Sequence, residues 1–234
     1  MPKADEAIVL VGGLGTRLRG VVPDLPKPLA PVAGRPFLAH LLDQLDASGI
    51  RRVILATGYM ADKVEQAIGK RWNGMDVAYS WEVEPLGTGG AIRQAAQQLR
   101  GGAAHLANGD TFLRFDLAKL EECTREQDVP IGMALAWVHD VGRYGAVETV
   151  AGRVVAFREK GGQDAGYINA GSYFLTEEGI ASLPSTPRYS FETEVLQPAA
   201  MAGKVAALGE SSDFIDIGVP EDYVRAQHIF SVLQ

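Results

Sequence analysis

A glycine-rich loop and two cations near the start of the chain could bind a polyphosphate. An apolar, mostly β-branched run at residues 8–11 ends in three glycines within residues 12–15, followed by Arg17 and, ten residues later, by Lys27. Glycine reaches positive φ at little cost and lets backbone N–H groups approach an anion closely. Arg17 supplies a planar fork and Lys27 a point charge, the two kinds of cation that phosphate chemistry uses. This stretch predicts a nucleoside triphosphate site at the end of a buried strand.

Two commoner phosphate loops are excluded by the residues that follow. A dinucleotide fingerprint would need glycine in place of Leu18 and a helix directly afterwards, but prolines at positions 23, 26, 28 and 31 exclude a regular helix before about residue 36. A Walker A loop would need Gly-Lys-Ser/Thr, where this chain has Gly15, Thr16 and Arg17. Read alone, the glycines are also consistent with a tight turn that binds nothing.

Two aspartates follow apolar, strand-like runs far apart in the chain. Asp110 comes after residues 103–107, and Asp216 comes directly after Phe214 and Ile215. Ligands of open α/β sheets collect at the carboxyl ends of strands, so we expect the two carboxylates to converge there. Mg²⁺ prefers oxygen ligands and shares them with substrate phosphates, so the pair predicts a magnesium site. Either aspartate alone is equally typical of a turn.

The elements that must position these residues alternate through the first half of the chain. The pattern predicts helices over residues 37–45 and 61–70, and strands over residues 52–58 and 76–80, which is a parallel βαβ arrangement. From residue 130 it turns to β, with a strand at 131–137 and a hairpin around residues 151–152. We expect one domain over residues 1–234, divided into halves at about residue 125.

Composition narrows the class of protein. The 234 residues carry a net charge of −7, which argues against a nucleic acid polymer as partner but allows a small nucleotide in a local basic pocket. The single cysteine, Cys123, excludes an intramolecular disulfide framework, and no apolar run is long enough to span a membrane. We expect a cytoplasmic protein without a membrane partner. The sequence leaves the oligomeric state open, and a homodimer is among the states that it allows.

The motifs together resemble those of the sugar-phosphate nucleotidyltransferases. The motifs are Gly-Gly-Leu-Gly-Thr-Arg-Leu at residues 12–18 and Pro-Lys-Pro at residues 26–28. Within this family, the sequence of residues 31–38 is most similar to that of the D-glycero-D-manno-heptose 1-phosphate guanylyltransferases, and next to that of the mannose 1-phosphate guanylyltransferases. The resemblance implies a Rossmann-like three-layer α/β/α fold with a mixed, mostly parallel central sheet and a β-rich sugar-binding half. It also implies an enzyme of surface polysaccharide synthesis that joins GTP to a sugar 1-phosphate and releases pyrophosphate.

The same resemblance implies a role for each matching residue. The nucleotide would be bound by Leu10, Gly12, Gly13, Gly15, Thr16, Arg17, Glu84, Gly89, Gly90 and Asn108. The sugar phosphate would be bound by Tyr144, Gly145, Glu159, Lys160 and Asn169. Catalysis would rest on Arg17 at the β- and γ-phosphates, Lys27 at the α-phosphate, Lys160 at the attacking phosphate and Asp110, with Mg²⁺ held by Asp110 and Asp216.

Glu84 is our candidate for selecting the base. The edge of guanine presents two adjacent N–H donors, and one carboxylate can accept both. A solvated loop carboxylate is the alternative reading of Glu84. Alternative functions also stay open: a mannose 1-phosphate guanylyltransferase, a uridylyl- or cytidylyltransferase acting on another phosphate, and a nucleotide-binding regulator without catalysis. A mere binder would not need Lys160 for an acceptor phosphate.

Overall fold

The computed structural model describes residues 3–13, 18, 20–158, 161 and 164–232. Its strands are, in chain order, β1 (Glu6–Leu10), β2 (Pro31–Val32), β3 (Arg35–Pro36), β4 (Arg52–Thr57), β5 (Arg71–Trp72), β6 (Met75–Trp81), β7 (Ala104–Asn108), β8 (Thr111–Phe115), β9 (Ile131–Val138), β10 (Val147–Val150), β11 (Arg153–Phe157), β12 (Gly166–Leu175), β13 (Val205–Leu208) and β14 (Ser211–Asp216).

Its α-helices are α1 (Phe37–Ala47), α2 (Ala61–Ile68), α3 (Gly87–Ala96), α4 (Leu117–Glu126), α5 (Glu177–Ala181), α6 (Gln197–Met201) and α7 (Pro220–Val232). A 3₁₀ turn at Lys27–Leu29 and a π-helical turn at Glu192–Leu196 complete the helical elements of the described residues. Across these ranges, no helix combines the length and apolar character that a membrane crossing requires.

Ten of the strands form one mixed sheet that runs through both halves of the chain. Their order is β10-β11-β13-β9-β12-β7-β1-β4-β6-β5. The neighbours β7, β1, β4 and β6 are parallel, as the predicted βαβ arrangement requires. β12 joins the second half to the first, because it pairs antiparallel with both β7 and β9. The predicted α/β class with a mixed central sheet is confirmed.

Both faces of the sheet are covered, as the side chains of β1 show. Ile8 packs in a core that contains Ile92 of α3, whereas Val9 packs in a second core with Leu38 and Leu42 of α1. Successive residues of a strand point to opposite faces, so a continuously apolar strand is one that is buried on both sides. The apolar residues of α1 recur at helical spacing and supply one of these covers. This is the three-layer α/β/α arrangement that the sequence predicts.

The β-rich half contains the predicted hairpin. β10 pairs antiparallel with β11, and the turn between them is formed by Ala151 (φ 49°) and Gly152 (φ 74°). Positive φ at both central positions matches the twist of a two-residue hairpin, which favours glycine there. The hairpin prediction around residues 151–152 is confirmed.

The strand that ends in Asp216 lies outside the main sheet, although Asp216 does stand at the end of a strand as expected. β14 pairs antiparallel with β8 in a separate two-stranded ribbon, where Asp216 lies opposite Thr111. Asp110 follows β7 of the main sheet, as expected. Directly opposed residues in an antiparallel pair are close neighbours, so the ribbon brings Asp216 next to Thr111 and therefore near Asp110.

Candidate active site

Five residues singled out from the sequence lie outside the described part of the chain. They are Gly15, Thr16, Arg17, Glu159 and Lys160. The nearest described residues are Gly13 and Leu18 for the first group, and Arg158 and Gly161 for the second. The roles that the resemblance implies for these five residues remain predictions.

A first cavity of about 510 Å³ opens where β1 ends. Its lining combines the start of the glycine loop, the segment after β6 and the first turns of α3: Leu10, Gly12, Gly13, Gly58, Tyr59, Glu82, Val83, Glu84, Pro85, Gly87, Thr88 and Ala91. Four of the predicted nucleotide-binding residues, Leu10, Gly12, Gly13 and Glu84, therefore lie together. Most of this lining is apolar or backbone, which suits the flat ring of a base with a few polar groups to orient it.

Glu82 is a carboxylate of this first cavity that sequence reasoning missed. Its Oε2 accepts a hydrogen bond from the Leu86 N–H at 2.9 Å, and its Oε1 lies 2.7 Å from the place that a Cβ on Gly12 would take. A side chain at position 12 would therefore require the Glu82 carboxylate to move aside. Burial raises the pKa of Glu82, and the Leu86 hydrogen bond opposes that shift. The loop segment after β6 carries two glutamates, and no spacing rule distinguishes Glu82 from Glu84 in the sequence.

Gly89 and Gly90 are buried in α3 against a neighbouring segment, and they are not among the residues that line the first cavity. A Cβ on Gly89 would meet the ring of Tyr189 at 2.1 Å, and one on Gly90 would meet the carbonyl oxygen of Pro187 at 2.2 Å. The structure therefore gives both glycines a packing reason that is independent of a ligand. It places Thr88, which the sequence analysis did not single out, in the lining instead.

Lys27 joins the two aspartates. Its Nζ lies 2.6 Å from Oδ2 of Asp110 and 3.2 Å from Oδ1 of Asp216. The 3₁₀ turn that carries Lys27 is anchored by the buried residues Pro28 and Leu29, so the ammonium is presented from a fixed backbone. The lysine side chain is 9% exposed, whereas the two carboxylates are 36% and 25% exposed. The cluster therefore opens to solvent on its acidic side.

This donor set matches magnesium only in part. Hard carboxylate oxygens suit Mg²⁺, which proteins commonly hold with one or two carboxylates while water and substrate phosphates complete the octahedron. Within the described ranges, no group of three or more histidine, cysteine or acidic side chains could hold a metal ion. Asp110 and Asp216 therefore fit a magnesium ion that arrives with a phosphate ligand, and they do not form a complete protein cage.

A second cavity, of about 660 Å³, lies in the β-rich half. Its lining is formed by Tyr144, Gly145, Ala146, Val147, Phe157, Arg158, Asn169, Glu192, Thr193, Leu196 and Gln197. The structure thus brings together the predicted sugar-binding residues Tyr144, Gly145 and Asn169. Glu192, Thr193 and Gln197 were missed, because they come from a π-helical turn and the start of α6, for which the sequence carries no motif.

Short contacts of the residues before Asp110 connect this aspartate to segments that line both cavities. Gly109, which precedes Asp110, donates its N–H to the carbonyl of Leu10 at 2.8 Å, and Leu10 lines the first cavity. On the other side, Asn108 lies against Gly171, whose added Cβ would be 2.5 Å from the Asn108 amide nitrogen. The Gly171 N–H in turn donates to Oδ1 of Asn169 in the second cavity. Two ligands could therefore meet at Asp110.

Residues 6–231 match the family model described as nucleotidyl transferase. The chain belongs to this nucleotidyl transferase family. It is 41% identical over 222 residues to the D-glycero-alpha-D-manno-heptose 1-phosphate guanylyltransferase of Aneurinibacillus thermoaerophilus, covering 95% of this chain and 96% of that protein. It is 40% identical to the mannose-1-phosphate guanylyltransferase of Mycobacterium tuberculosis, covering 94% of this chain and 63% of that protein.

A solved crystal structure has the same fold. The crystal structure of HddC from Yersinia pseudotuberculosis complexed with GMP-PN superposes with a TM-score of 0.84 at 35% identity, over 97% of this chain and all of that one. The superposition therefore covers nearly the whole of our nucleotidyltransferase. Lys27 lies between the carboxylates of Asp110 and Asp216, and phosphoryl transfer in general depends on positioning anionic groups near positive charge.

Proposed function

We propose that this chain transfers a guanylyl group from GTP to D-glycero-D-manno-heptose 1-phosphate and releases pyrophosphate. The observation that carries the proposal is the 41% identity to a heptose 1-phosphate guanylyltransferase over nearly the full length of both chains. Two adjacent cavities with Asp110 between them support it, because they can hold a nucleotide and a sugar phosphate at the same time. GTP would occupy the first cavity and the sugar phosphate the second.

In the proposed reaction, an oxygen of the sugar phosphate attacks the α-phosphorus of GTP. A new P–O bond forms while the bond to the bridging oxygen breaks, and pyrophosphate leaves with that bond's electrons. A phosphate monoester has a second pKa of about 6, so the nucleophile is already largely dianionic at neutral pH and needs no general base. Catalysis then depends on positioning the two anions and on stabilising the charge that builds on the leaving group.

The chain's own cations have separate tasks in this proposal. Lys27 would bind the α-phosphate in the transition state, Arg17 the β- and γ-phosphates, and Lys160 the attacking phosphate. Asp110 and Asp216 would hold Mg²⁺, which when bound supplies positive charge shared with the substrate phosphates. Nζ of Lys27 donates to both carboxylates, and since an ammonium has three donors, these two hydrogen bonds leave one for a phosphate.

Mannose 1-phosphate is the second candidate acceptor. The observation that favours it is the 40% identity to the mannose-1-phosphate guanylyltransferase of M. tuberculosis, although the chain spans only 63% of that protein. The two sugars share their ring stereochemistry and differ at the exocyclic carbon. A homodimer and a cytoplasmic location stay predictions from the sequence.

The test is a matrix of pyrophosphate-release assays with Mg²⁺. It crosses GTP, UTP, CTP, ATP and dTTP with the 1-phosphates of D-glycero-D-manno-heptose, mannose, glucose and N-acetylglucosamine. We expect release with GTP, with heptose phosphate preferred over mannose phosphate. A preference for mannose phosphate would favour the second candidate, and release with another nucleotide would contradict the guanylyl assignment. Saturable GTP binding without release for any acceptor would indicate a regulator.

A further inference from the structure

A hydrogen bond joins the first cavity to the second. Thr88 lines the first cavity, Glu192 lines the second, and the Thr88 hydroxyl donates to Oε2 of Glu192 at 2.6 Å. The Thr88 oxygen also accepts the Phe191 N–H at 2.9 Å. The Thr88 hydroxyl has only one hydrogen, and the Phe191 N–H occupies an acceptor position of its oxygen, so the Thr88 hydrogen points to Glu192. Glu192 is therefore held in one orientation at the boundary between the two cavities.

Glu192 has acceptor capacity that the protein does not use. The two hydrogen bonds that described side chains donate to it, from Thr88 and from the Ser190 hydroxyl at 3.0 Å, go to the same oxygen, Oε2. Within the described ranges, neither a hydrogen-bond donor nor a cation pairs with Oε1. An ionised carboxylate can accept about four hydrogen bonds, so a half-buried one with a free oxygen is suited to bind a hydroxyl group.

Asn169 offers the complementary donor in the same cavity. Its Oδ1 accepts the Gly171 N–H at 3.0 Å and the Tyr173 hydroxyl at 2.9 Å. These two donors require oxygen at that position, and among the described residues no acceptor pairs with the Asn169 amide N–H₂ group, which can therefore donate to a ligand. Burial, and next the charge of Glu192, raise the pKa of Tyr173, which keeps its hydroxyl a donor. One cavity wall thus presents a donor and an acceptor, the pair that sugar hydroxyls satisfy.

We infer that Glu192 accepts a hydrogen bond from a hydroxyl group of the acceptor sugar and selects among sugar 1-phosphates. This inference rests on the proposed function, since it needs a sugar in the second cavity. Thr88 is then a positioning residue, which acts on the sugar only through Glu192. The fixed carboxylate favours a sugar with a hydroxyl at the facing ring position and disfavours one that lacks it, because Oε1 would then lose water without gaining a donor.

The test compares Glu192→Gln with Glu194→Gln. Glu194 lies on the same π-helical turn, is exposed and lines neither cavity, so it is a matched control. Steady-state kinetics with GTP measure KM for the heptose or mannose 1-phosphate and for its singly deoxygenated analogues. We expect E192Q to raise the KM for the parent sugar phosphate about tenfold, the range of one charge-assisted hydrogen bond. The KM for GTP and the melting temperature should stay near those of E194Q.

The analogue series distinguishes recognition from a structural role. In the wild type, the analogue that lacks the recognised hydroxyl should have a raised KM, and this penalty should shrink in E192Q. Equal penalties in both enzymes for every analogue would overturn the inference, as would a lower melting temperature with unchanged sugar KM. If E192Q fails to fold, Glu192→Asp keeps the charge but withdraws it by one methylene, and the same shrinking penalty is expected. A wild type that transfers to no sugar phosphate would instead refute the proposed function.

Discussion

At the scale of single residues, Lys27 is the group on which turnover should depend most. It is the described cation closest to both aspartates, and its ammonium is almost fully buried between them. Loss of a cation that stabilises a transition state typically costs about 3 kcal/mol, or about a hundredfold in rate. We therefore expect Lys27→Ala to lower kcat about a hundredfold at saturating substrates. Lys204→Ala, at an exposed lysine of the same chain, should leave kcat unchanged. An active K27A enzyme would remove Lys27 from the mechanism.

The two carboxylates of the first cavity should differ in how strongly they select guanine. Glu84 is exposed, whereas Glu82 is half-buried and held by the Leu86 N–H. Hydrogen bonds to a desolvated, fixed carboxylate discriminate more strongly than those to a solvated one. We expect Glu82→Gln to lower the ratio of kcat/KM for GTP over UTP about tenfold or more, and Glu84→Gln to lower it by less. Both substitutions replace a carboxylate by an amide of the same shape, so each variant serves as a control for the other. An unchanged ratio in E84Q would refute the role predicted for Glu84 from the sequence.

Site residues that belong to a short motif were predictable from the sequence, whereas site residues outside any motif were missed. Asp110, Tyr144, Gly145 and Asn169 were predicted from short patterns, and the structure places them at or between the cavities. Glu192 was missed because an isolated glutamate in a helical turn is typical of a solvated surface. Its position beside Thr88 depends on packing between segments about a hundred residues apart, which periodicity cannot show.

At the scale of elements, the start of α3 depends on glycines that let a second segment approach. Alanine is normally favoured over glycine within a helix, by about 1 kcal/mol. At Gly90, however, a Cβ would lie 2.2 Å from the Pro187 carbonyl oxygen, and overpacking typically costs about 1–3 kcal/mol. We expect Gly90→Ala to lower the free energy of unfolding and to raise the KM for the sugar phosphate, because residues 187–191 lead directly into Glu192. The measurements are urea unfolding and steady-state kinetics.

Gly20→Ala is the control for that prediction. Gly20 is exposed, does not have positive φ, and no atom of the described residues lies within 4 Å of an added Cβ. This substitution should therefore leave both the unfolding free energy and the KM near their wild-type values. A G90A protein as stable as G20A would show that the Pro187 segment moves aside freely.

The elements with local patterns were predictable, and those paired over long distances were not. Apolar periodicity predicted α1 and α2, and turn residues predicted the hairpin of β10 and β11. The ribbon of β8 and β14 joins segments about a hundred residues apart, so nothing local indicates its register. For this reason the sequence indicated a strand before Asp216 but not that this strand lies outside the main sheet. The convergence of Asp216 with Asp110 was nevertheless right, because the ribbon lies directly after β7.

At the scale of the whole molecule, a buried histidine should make stability depend on pH. His105 lies in the core of the main sheet beside Phe174, and neither ring nitrogen makes a hydrogen bond to a described residue. Burial, and next the charges of Lys3 and Arg125, lower the pKa of His105 to about 3. Since the unfolded chain binds this proton near its ordinary pKa of about 6.5, stability falls as the pH drops from there towards 3.

Removing the histidine should flatten this dependence. As the pH falls below about 6.5, the unfolding free energy of His105→Phe should decrease less steeply than that of the wild type. The difference in slope should be up to about 1.4 kcal/mol per pH unit. Urea unfolding at several pH values measures the slope. His228→Gln, at an exposed position of α7, should keep the wild-type slope. Equal slopes in H105F and the wild type would contradict a neutral His105 in the folded protein.

Guanylyl transfer requires that one molecule hold GTP and a sugar 1-phosphate and join them. Phosphorus NMR of the enzyme with Mg²⁺, GTP and D-glycero-D-manno-heptose 1-phosphate tests this reaction, with Asp110→Ala as the control. We expect the sugar phosphate signal to be replaced by two coupled diphosphate signals and one of pyrophosphate, and D110A to show neither change. Formation of orthophosphate and GDP, or an unchanged sugar phosphate signal beside a folded wild-type enzyme, would contradict guanylyl transfer to this acceptor.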